Sequence, residues 1–317
     1  MSKQKASFRS VPAAEITKRY RSVRALFWAL RLTVLIAAIV VVIFAILGKV
    51  SPFNAFFSAV TATALNWLLS VIGKIKCSVF DSVLTTDCDP VKLEQVFTPL
   101  DTQPDTFNGV TFNMVRALFY QGRNDEALER LTKAKKPKEN SLLYFQYYNM
   151  LAHCYDRAGD LEKLLAIQQK IQNSAAKLKP NARYAPSARQ LLAILNVMVA
   201  QQQHEFTRCR DACREMYGEA SYALSRINIS LRLAKIEQQT GANHSAVTRC
   251  EYIIDDGGTT FYVNEAKALY TLCCGKEYVP EDERRSLPVS LEELEDLEDE
   301  WDEDEDEYED DIQDEEE

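Results

Sequence analysis

From Leu32 to Gly73 the chain carries one charge, Lys49, in 42 residues. A water-soluble domain cannot use so long an uncharged stretch, because no polar face is left for solvent. The segment therefore predicts a membrane anchor, and the rest of the chain must be organised around it. The first apolar run, Leu32–Gly48, is 17 residues long. At about 1.5 Å per residue it nearly crosses a hydrocarbon core of about 30 Å. Extending it back to Ala25 gives ample length, with Arg31 snorkelling to the interface. The second run, Val50–Gly73, is uncharged but contains Pro52, Asn54, Ser58, Thr61, Thr63, Asn66 and Ser70. Its apolar residues point all round a helical wheel, which argues against a helix lying flat on a surface. Gly48 to Pro52 supplies a turn. The anchor is thus expected over residues 25–76, as two helices at 25–48 and 53–73, behind a basic leader at 1–24.

Lys3, Lys5, Arg9, Lys18, Arg19, Arg21 and Arg24 precede the first run, and Lys74 and Lys76 follow the second. The positive-inside rule puts both flanks in the cytoplasm and Lys49 outside, with Trp28 and Trp67 as interfacial anchors. This predicts an integral protein of a plasma or inner membrane. The long basic leader and the lack of a small-residue cleavage pattern argue against a signal peptide. A single span, with everything from Val50 onward exported, is the competing topology.

Charge divides the remainder. Residues 281–317 hold 23 acidic and two basic side chains, a net of −21, whereas residues 1–280 carry +11. So acidic a stretch cannot bury enough apolar surface to offset its ordering entropy, and a disordered tail is expected over 279–317. Residues 107–278 are long enough for a domain with its own core, with 77–106 as a linker. None of the eight cysteines forms a CxxC pair. In a cytoplasmic body they are reduced core residues; in an exported one an even count is compatible with disulfides. Asn228 and Asn243 begin glycosylation acceptor triplets that matter only for an exported body.

Within the body, apolar residues recur at three- and four-residue spacing with almost no alternation, which predicts an all-α fold. Tyr148, Leu151, Ala152 and Tyr155 share a helical face; Gly159-Asp160 makes a turn, and Leu161, Leu164 and Ile171 continue on a second helix. Met114, Val115 and Leu118 stand in the same relation to Gly122 and to Ala127, Leu131 and Ala134. Residues 118–134 and 151–167 resemble the tetratricopeptide repeat, with two departures: Thr111 where that family has an aromatic, and Leu164 where it favours alanine. Two more units are degenerate. Leu192, Leu195, Asn196 and Val199 lead through a glycine-free turn at 201–204 to Phe206, Cys209, Cys213 and Met216. Ile227 to Gln239 leads through Gly241 to Ala246, Cys250 and Ile253, with Glu237 at a position usually aromatic. The resemblance implies an α-solenoid of about four helix pairs, stacked because one hairpin cannot bury its apolar face alone, with Tyr262–Cys274 as a capping helix.

The resemblance further implies a concave groove, lined by the first helix of each pair, that binds a protein or peptide. Carried onto this sequence, the groove positions are Phe112, Arg116, Phe119, Gln146, Asn149, His153, Asp156, Arg157, Lys235, Gln238 and Gln239. They lack the paired Lys/Asn arrangement of repeats that clamp chaperone carboxy termini.

No catalytic pattern accompanies these elements. His153, His204 and His244 lie in different units without an HExxH partner, and no GxSxG, phosphate loop or EF-hand spacing occurs. Cys209 and Cys213 are i,i+4 neighbours on an apolar stripe, which favours packing over a metal. No cofactor, metal or nucleic acid is expected, since the leader's basic residues match anionic lipid headgroups. The expected function is that of a membrane-tethered adaptor rather than an enzyme. The alternative is an exported, membrane-anchored assembly factor or chaperone-like subunit of an envelope complex. In the tail, Ser290 and Glu293 form a capping box, and Leu291, Leu294, Leu297 and Trp301 follow at helical spacing over 290–301. Docking of that segment as an amphipathic helix and a purely solvating tail are both open.

Overall fold

Two long helices open the chain. The computed structural model describes residues 7–139, 141–179 and 181–280; the tail segment with Leu291, Leu294, Leu297 and Trp301 lies outside them. Helix α1, Ala13–Ile46, and helix α2, Pro52–Ser78, pack side by side. Gly48 turns the chain in the left-handed region (φ +71°), and Ser51 caps α2 by accepting from the Asn54 amide at 3.3 Å, with Pro52 in the first turn. Both helices are long and apolar enough to cross a membrane, and Leu35, Ile36, Ile43, Phe53, Phe56 and Phe57 lie exposed along them.

The described part of the expected basic leader, residues 7–24, and the expected linker at 77–106 both pack into the body. After α2 the chain forms a 3-10 turn, Val79–Asp81, then α3, Ser82–Thr85, α4, Pro90–Phe97, and a second 3-10 turn, Thr98–Leu100. Phe80, Val83, Leu84, Leu93, Val96 and Phe97 are buried there. The leader and the base of α1 pack against them. Phe8 stacks on Phe80 with ring centres 5.7 Å apart, and Ile16 is fully buried. Asp87 accepts from the Phe8 amide at 2.6 Å and from the Ser7 hydroxyl at 2.7 Å. Thr17 Oγ1 donates to the Val96 carbonyl at 3.0 Å, and Arg21 donates to that of Pro99 at 2.8 Å. These helices are too short for a periodic signal, and Asp89-Pro90 and Thr98-Pro99 read as loop punctuation although each starts a helix.

The body continues as α5, Gly109–Tyr120; α6, Asn124–Lys133; α7, Leu142–Ala158; α8, Leu161–Ala176; α9, Ala185–Gln202; α10, Phe206–Glu219; α11, Ala223–Gln239; α12, Asn243–Asp256; and α13, Phe261–Cys274. Each packs on its successor, and α7 also meets α5 and α9. Among the described residues the only β feature is an isolated parallel bridge between Thr106 and Lys135.

Within the body one turn recurs four times. At Gly122, Gly159, His204 and Gly241 the backbone enters the left-handed region with φ of +85°, +70°, +60° and +83°. In each case the following amide donates back to the carbonyl four residues before the left-handed one: Arg123 to Leu118, Asp160 to Tyr155, Glu205 to Ala200, and Ala242 to Glu237. This hydrogen-bond pattern stops a helix while satisfying its last carbonyls, and it favours glycine because no Cβ is strained. His204 performs the same turn without glycine, which accounts for the degenerate third unit. Five residues on, Ala127, Leu164, Cys209 and Ala246 are all fully buried. The other departures are accommodated too. Thr111 is buried and donates to the Thr106 carbonyl at 2.7 Å, while buried Glu237 pairs with Arg249 at 2.8 Å.

Most of the core runs continuously from Phe8 to Leu269, and a satellite cluster between α9, α10 and α11 buries Cys209 and Cys213 with Val197, Ile229 and Leu233. Tyr155, on the expected internal face, is only half-buried, and Lys163 Nζ sits 4.9 Å from its ring centre. The last helix returns to the start of the body. The Thr259 amide donates to the Cys88 carbonyl at 3.0 Å, and its hydroxyl donates to Asp89 at 2.9 Å.

Candidate functional site

A cleft of about 200 Å³ opens where α5, α7, α9, α11 and α13 converge. The glycine turn at 159 ends α7 just after His153, Asp156 and Arg157, so that helix delivers a histidine, an acid and a base within its final turns. Helix α9 adds Gln201 and Gln202, α11 adds Asn228, Arg232 and Lys235, and α13 adds Phe261, Tyr262 and Glu265.

Two ion-pair systems line the cleft. In the deeper one, Arg232 pairs with Asp156 at 2.5 Å and also donates to Gln201. Gln202 Nε2 donates to the Asp156 carbonyl at 2.9 Å and to its carboxylate at 3.2 Å. Burial alone would lower the Arg232 pKa, but the Asp156 charge and hydrogen bond outweigh it and the net direction is upward. In the outer system Glu265 receives two cations, Arg157 and Lys235, each at 2.7 Å. The Arg157 guanidinium lies 3.7 Å from the Phe261 ring centre, a cation–π contact that holds it flat against the wall.

Burial, reinforced by the Arg232 charge, pushes the His153 pKa down to about 4 against the opposing pull of Asp156. Its ring packs against Phe119 with centres 5.5 Å apart. At neutral pH it is an uncharged part of the wall. Burial also raises the Tyr262 hydroxyl well above its ordinary range. The cleft therefore offers three cations against two carboxylates, a net of one positive charge: Arg232 is paired with Asp156, while Arg157 and Lys235 share Glu265. Glu265 is the carboxylate that any anion entering the cleft would have to displace from Arg157 and Lys235. No group of three or more potential metal ligands is present among the described residues.

Of the expected groove residues, Phe119, His153, Asp156, Arg157 and Lys235 come together here. The other six lie elsewhere. Arg116 stacks 5.1 Å from the Phe112 ring centre and pairs with Asp81 at 2.6 Å, so both serve the junction with the turn after α2. Gln146 and Asn149 are half-buried further along α7, and Asn149 Oδ1 is buried without a hydrogen bond. Gln238 and Gln239 end α11, away from the lining. Gln201, Gln202, Asn228, Arg232, Phe261, Tyr262 and Glu265 were not anticipated. The α13 residues escape a repeat-based reading because a capping helix is expected to cover the last pair, whereas Phe261 reaches Phe119 of α5, 5.6 Å between ring centres. Comparison with protein-family models, with curated proteins and with solved structures finds no match for the chain.

Proposed function

We propose that the chain is a membrane-tethered adaptor: a two-helix anchor holding, on the cytoplasmic face, an α-solenoid of four tetratricopeptide-like hairpins whose cleft receives an acidic segment of a protein partner. The observation that carries this reading is the junction. Residues before the first apolar run (Phe8, Ile16, Thr17, Arg21) are bonded to residues after the second (Asp87, Val96, Pro99). Two segments in contact lie on one side of a bilayer, so the chain crosses an even number of times. That favours the hairpin over a single span, and the excess of Lys and Arg on both flanks supports a cytoplasmic position for that side. Cys88, Cys154 and Cys250, buried as thiols that burial pushes up to about 12, suit a reducing compartment.

The adaptor role rests on the cleft. Its groups suit recognition rather than turnover: paired charges, amides and aromatic rings, with a histidine held neutral. An acidic or carboxy-terminal peptide fits its Arg157, Arg232 and Lys235 better than a basic one. The test has two parts. In intact cells an impermeant thiol reagent should label Lys49→Cys and leave Ser221→Cys untouched; labelling of Ser221→Cys would favour the exported assembly-factor reading. In cross-linked membranes, partners captured by the native chain should be lost from Arg157→Ala/Lys235→Ala, and an unchanged partner set would remove the cleft from the proposal.

A further inference from the structure

The hydrogen bonds that join α1 to the body also orient the body. Successive contacts run from Lys92 at the Phe8 and Arg9 carbonyls, through Val96 at Thr17, to Pro99 at Arg21. Helix α4 therefore runs in the same direction as α1, toward the apolar run, and its end at Thr98–Leu100 is the membrane-proximal end. The chain after it stays on that edge: the Lys135 amide donates to the Asp105 carbonyl at 2.7 Å, which fixes the α6–α7 connection there. Helices α7 and α8 form an antiparallel pair, and Tyr144 OH lies 3.0 Å from Ser174 Oγ, so the α8–α9 connection sits at the same edge as the start of α7.

These two connections are the most basic part of the body. Residues 133–139 and 177–183 carry seven Lys and Arg side chains against one carboxylate, Glu139. Lys135, Lys136, Lys138, Lys177, Lys179 and Arg183 are exposed and pair with no carboxylate among the described residues. The opposite edge, formed by the turns at 122–126, 159–163 and 204–208, carries five carboxylates against three cations. The α4–α5 connection on the basic edge adds two carboxylates, Asp101 (paired with Arg130) and Asp105, and the edge stays cationic, so the charge of these connections is aligned with the axis of α1.

We infer that this edge is a second, electrostatic membrane contact, in which the two basic connections lie against anionic lipid headgroups. The inference rests on α1 and α2 spanning the bilayer. Arg21, level with Pro99, is 11 residues before Leu32, or about 17 Å along the helix. Headgroups occupy about 6 Å of that distance, which leaves a gap comparable to the screening length of about 8 Å at physiological ionic strength. Exposed lysines can reach part of that gap, and the exposed Arg24, Lys74 and Lys76 populate the same zone. Phosphate-bearing lipid is favoured over the chain's own acidic segment 281–317 because the patch faces the anchor side.

The test uses the full chain in nanodiscs of phosphatidylcholine alone or of phosphatidylcholine with phosphatidylserine. Lysine accessibility is read by mass spectrometry after brief acetylation with a water-soluble active ester. Lys135, Lys136, Lys138, Lys177 and Lys179 should react severalfold more slowly in the anionic discs, with the difference abolished at high salt. Lys163, on the opposite edge, is the internal control and should not change. Lys135→Glu/Lys136→Glu/Lys138→Glu should weaken the protection of Lys177 and Lys179 as well. Equal reactivity in both discs would overturn the inference, and so would protection in neutral discs that disappears on deleting 281–317, which would assign the patch to that segment. If alkaline extraction strips the chain from the bilayer, the anchor reading itself fails; retention without lysine protection sinks only the lipid contact.

Discussion

Replacing Gly258 by alanine tests how the two ends of the body are joined. Gly258 has φ +59°, and a Cβ there would lie 2.5 Å from the Cys88 carbonyl oxygen and 3.0 Å from that of Asp87. Both neighbours are backbone, so neither can swing aside as a flexible side chain does. Left-handed backbone costs a non-glycine residue about 1–2 kcal/mol. Displacing the Cys88 carbonyl also weakens the bond it accepts from the Thr259 amide, a further ~1 kcal/mol, and crowding of this kind adds about 1 kcal/mol or more. The sum is about 3–4 kcal/mol. Gly159→Ala is the matched control: its φ is +70°, but nothing lies within 4 Å of the added carbon, so only the conformational cost of about 1–2 kcal/mol applies. The chain carries its own reporter, because Cys88, Cys154, Cys209, Cys213 and Cys250 are buried and react with a thiol-sensitive dye only on unfolding. At roughly 2–4 °C per kcal/mol for a body of this size, Gly258→Ala should lower the melting temperature of the detergent-solubilised chain by ~6–16 °C and Gly159→Ala by ~2–8 °C. Equal shifts in the two variants would refute the argument that Gly258 is required by contact with Cys88 rather than by its dihedral alone.

Other outcomes follow from the same packing. Tyr147→Ala, at a fully buried ring, should cost about 3–5 kcal/mol, whereas half-buried Tyr155→Ala should cost clearly less; parallel thermal melts rank them. Ala127→Leu, at a fully buried methyl where α6 meets its neighbours, should overpack and cost roughly 1–3 kcal/mol by the same assay. Thr17→Val keeps the shape but removes the hydroxyl's bond to Val96, and about 1 kcal/mol of lost stability with faster amide exchange near Val96 is expected. His153 is neutral when folded, with its pKa at about 4, against about 6.5 when unfolded. The unfolded chain therefore binds the proton first, so stability is complete above about pH 6.5 and falls as the pH drops toward 4, by up to about 3 kcal/mol. His153→Phe should flatten that part of the pH–stability curve.

The two long apolar helices and most of the shorter helices were legible because their signals are local. An uncharged run identifies itself, and Gly122, Gly159 and Gly241 mark helix ends in the one-dimensional pattern. His204 makes the same turn without the residue type that advertises it, so the third hairpin reads as degenerate until its backbone is compared with the others. Helices α3 and α4 were invisible for a different reason: four and eight residues give too few turns for a period to emerge, and the threonines, aspartates and prolines that cap them look like loop. The cleft was half legible. Phe119, His153, Asp156, Arg157 and Lys235 fall on the helix faces expected to line a groove. Glu265, which binds two of the cations, is 108 residues from Arg157, and no local pattern announces a contact between the last helix and the earlier ones. Sequence spacing reports which face a residue occupies, not which distant helix will fill the space in front of it.

Helix α1 has a mechanical consequence. Its 34 residues form one unbroken rod, about 51 Å long, of which a bilayer core would take about 30 Å. The remaining length is not a tether but a lever arm, clamped at Phe8, Ile16, Thr17 and Arg21 by contacts with the elements after α2. A flexible linker would let the body tumble independently of the lipid. A clamped rod would make the body follow the tilt of the two long helices wherever they span a bilayer. Hydrophobic segments respond to bilayer thickness by tilting, so thinning or thickening the membrane would rotate the whole body, lowering or lifting its basic edge and re-aiming the cleft. In the proposed membrane-spanning arrangement, bilayer thickness would set the orientation of the body.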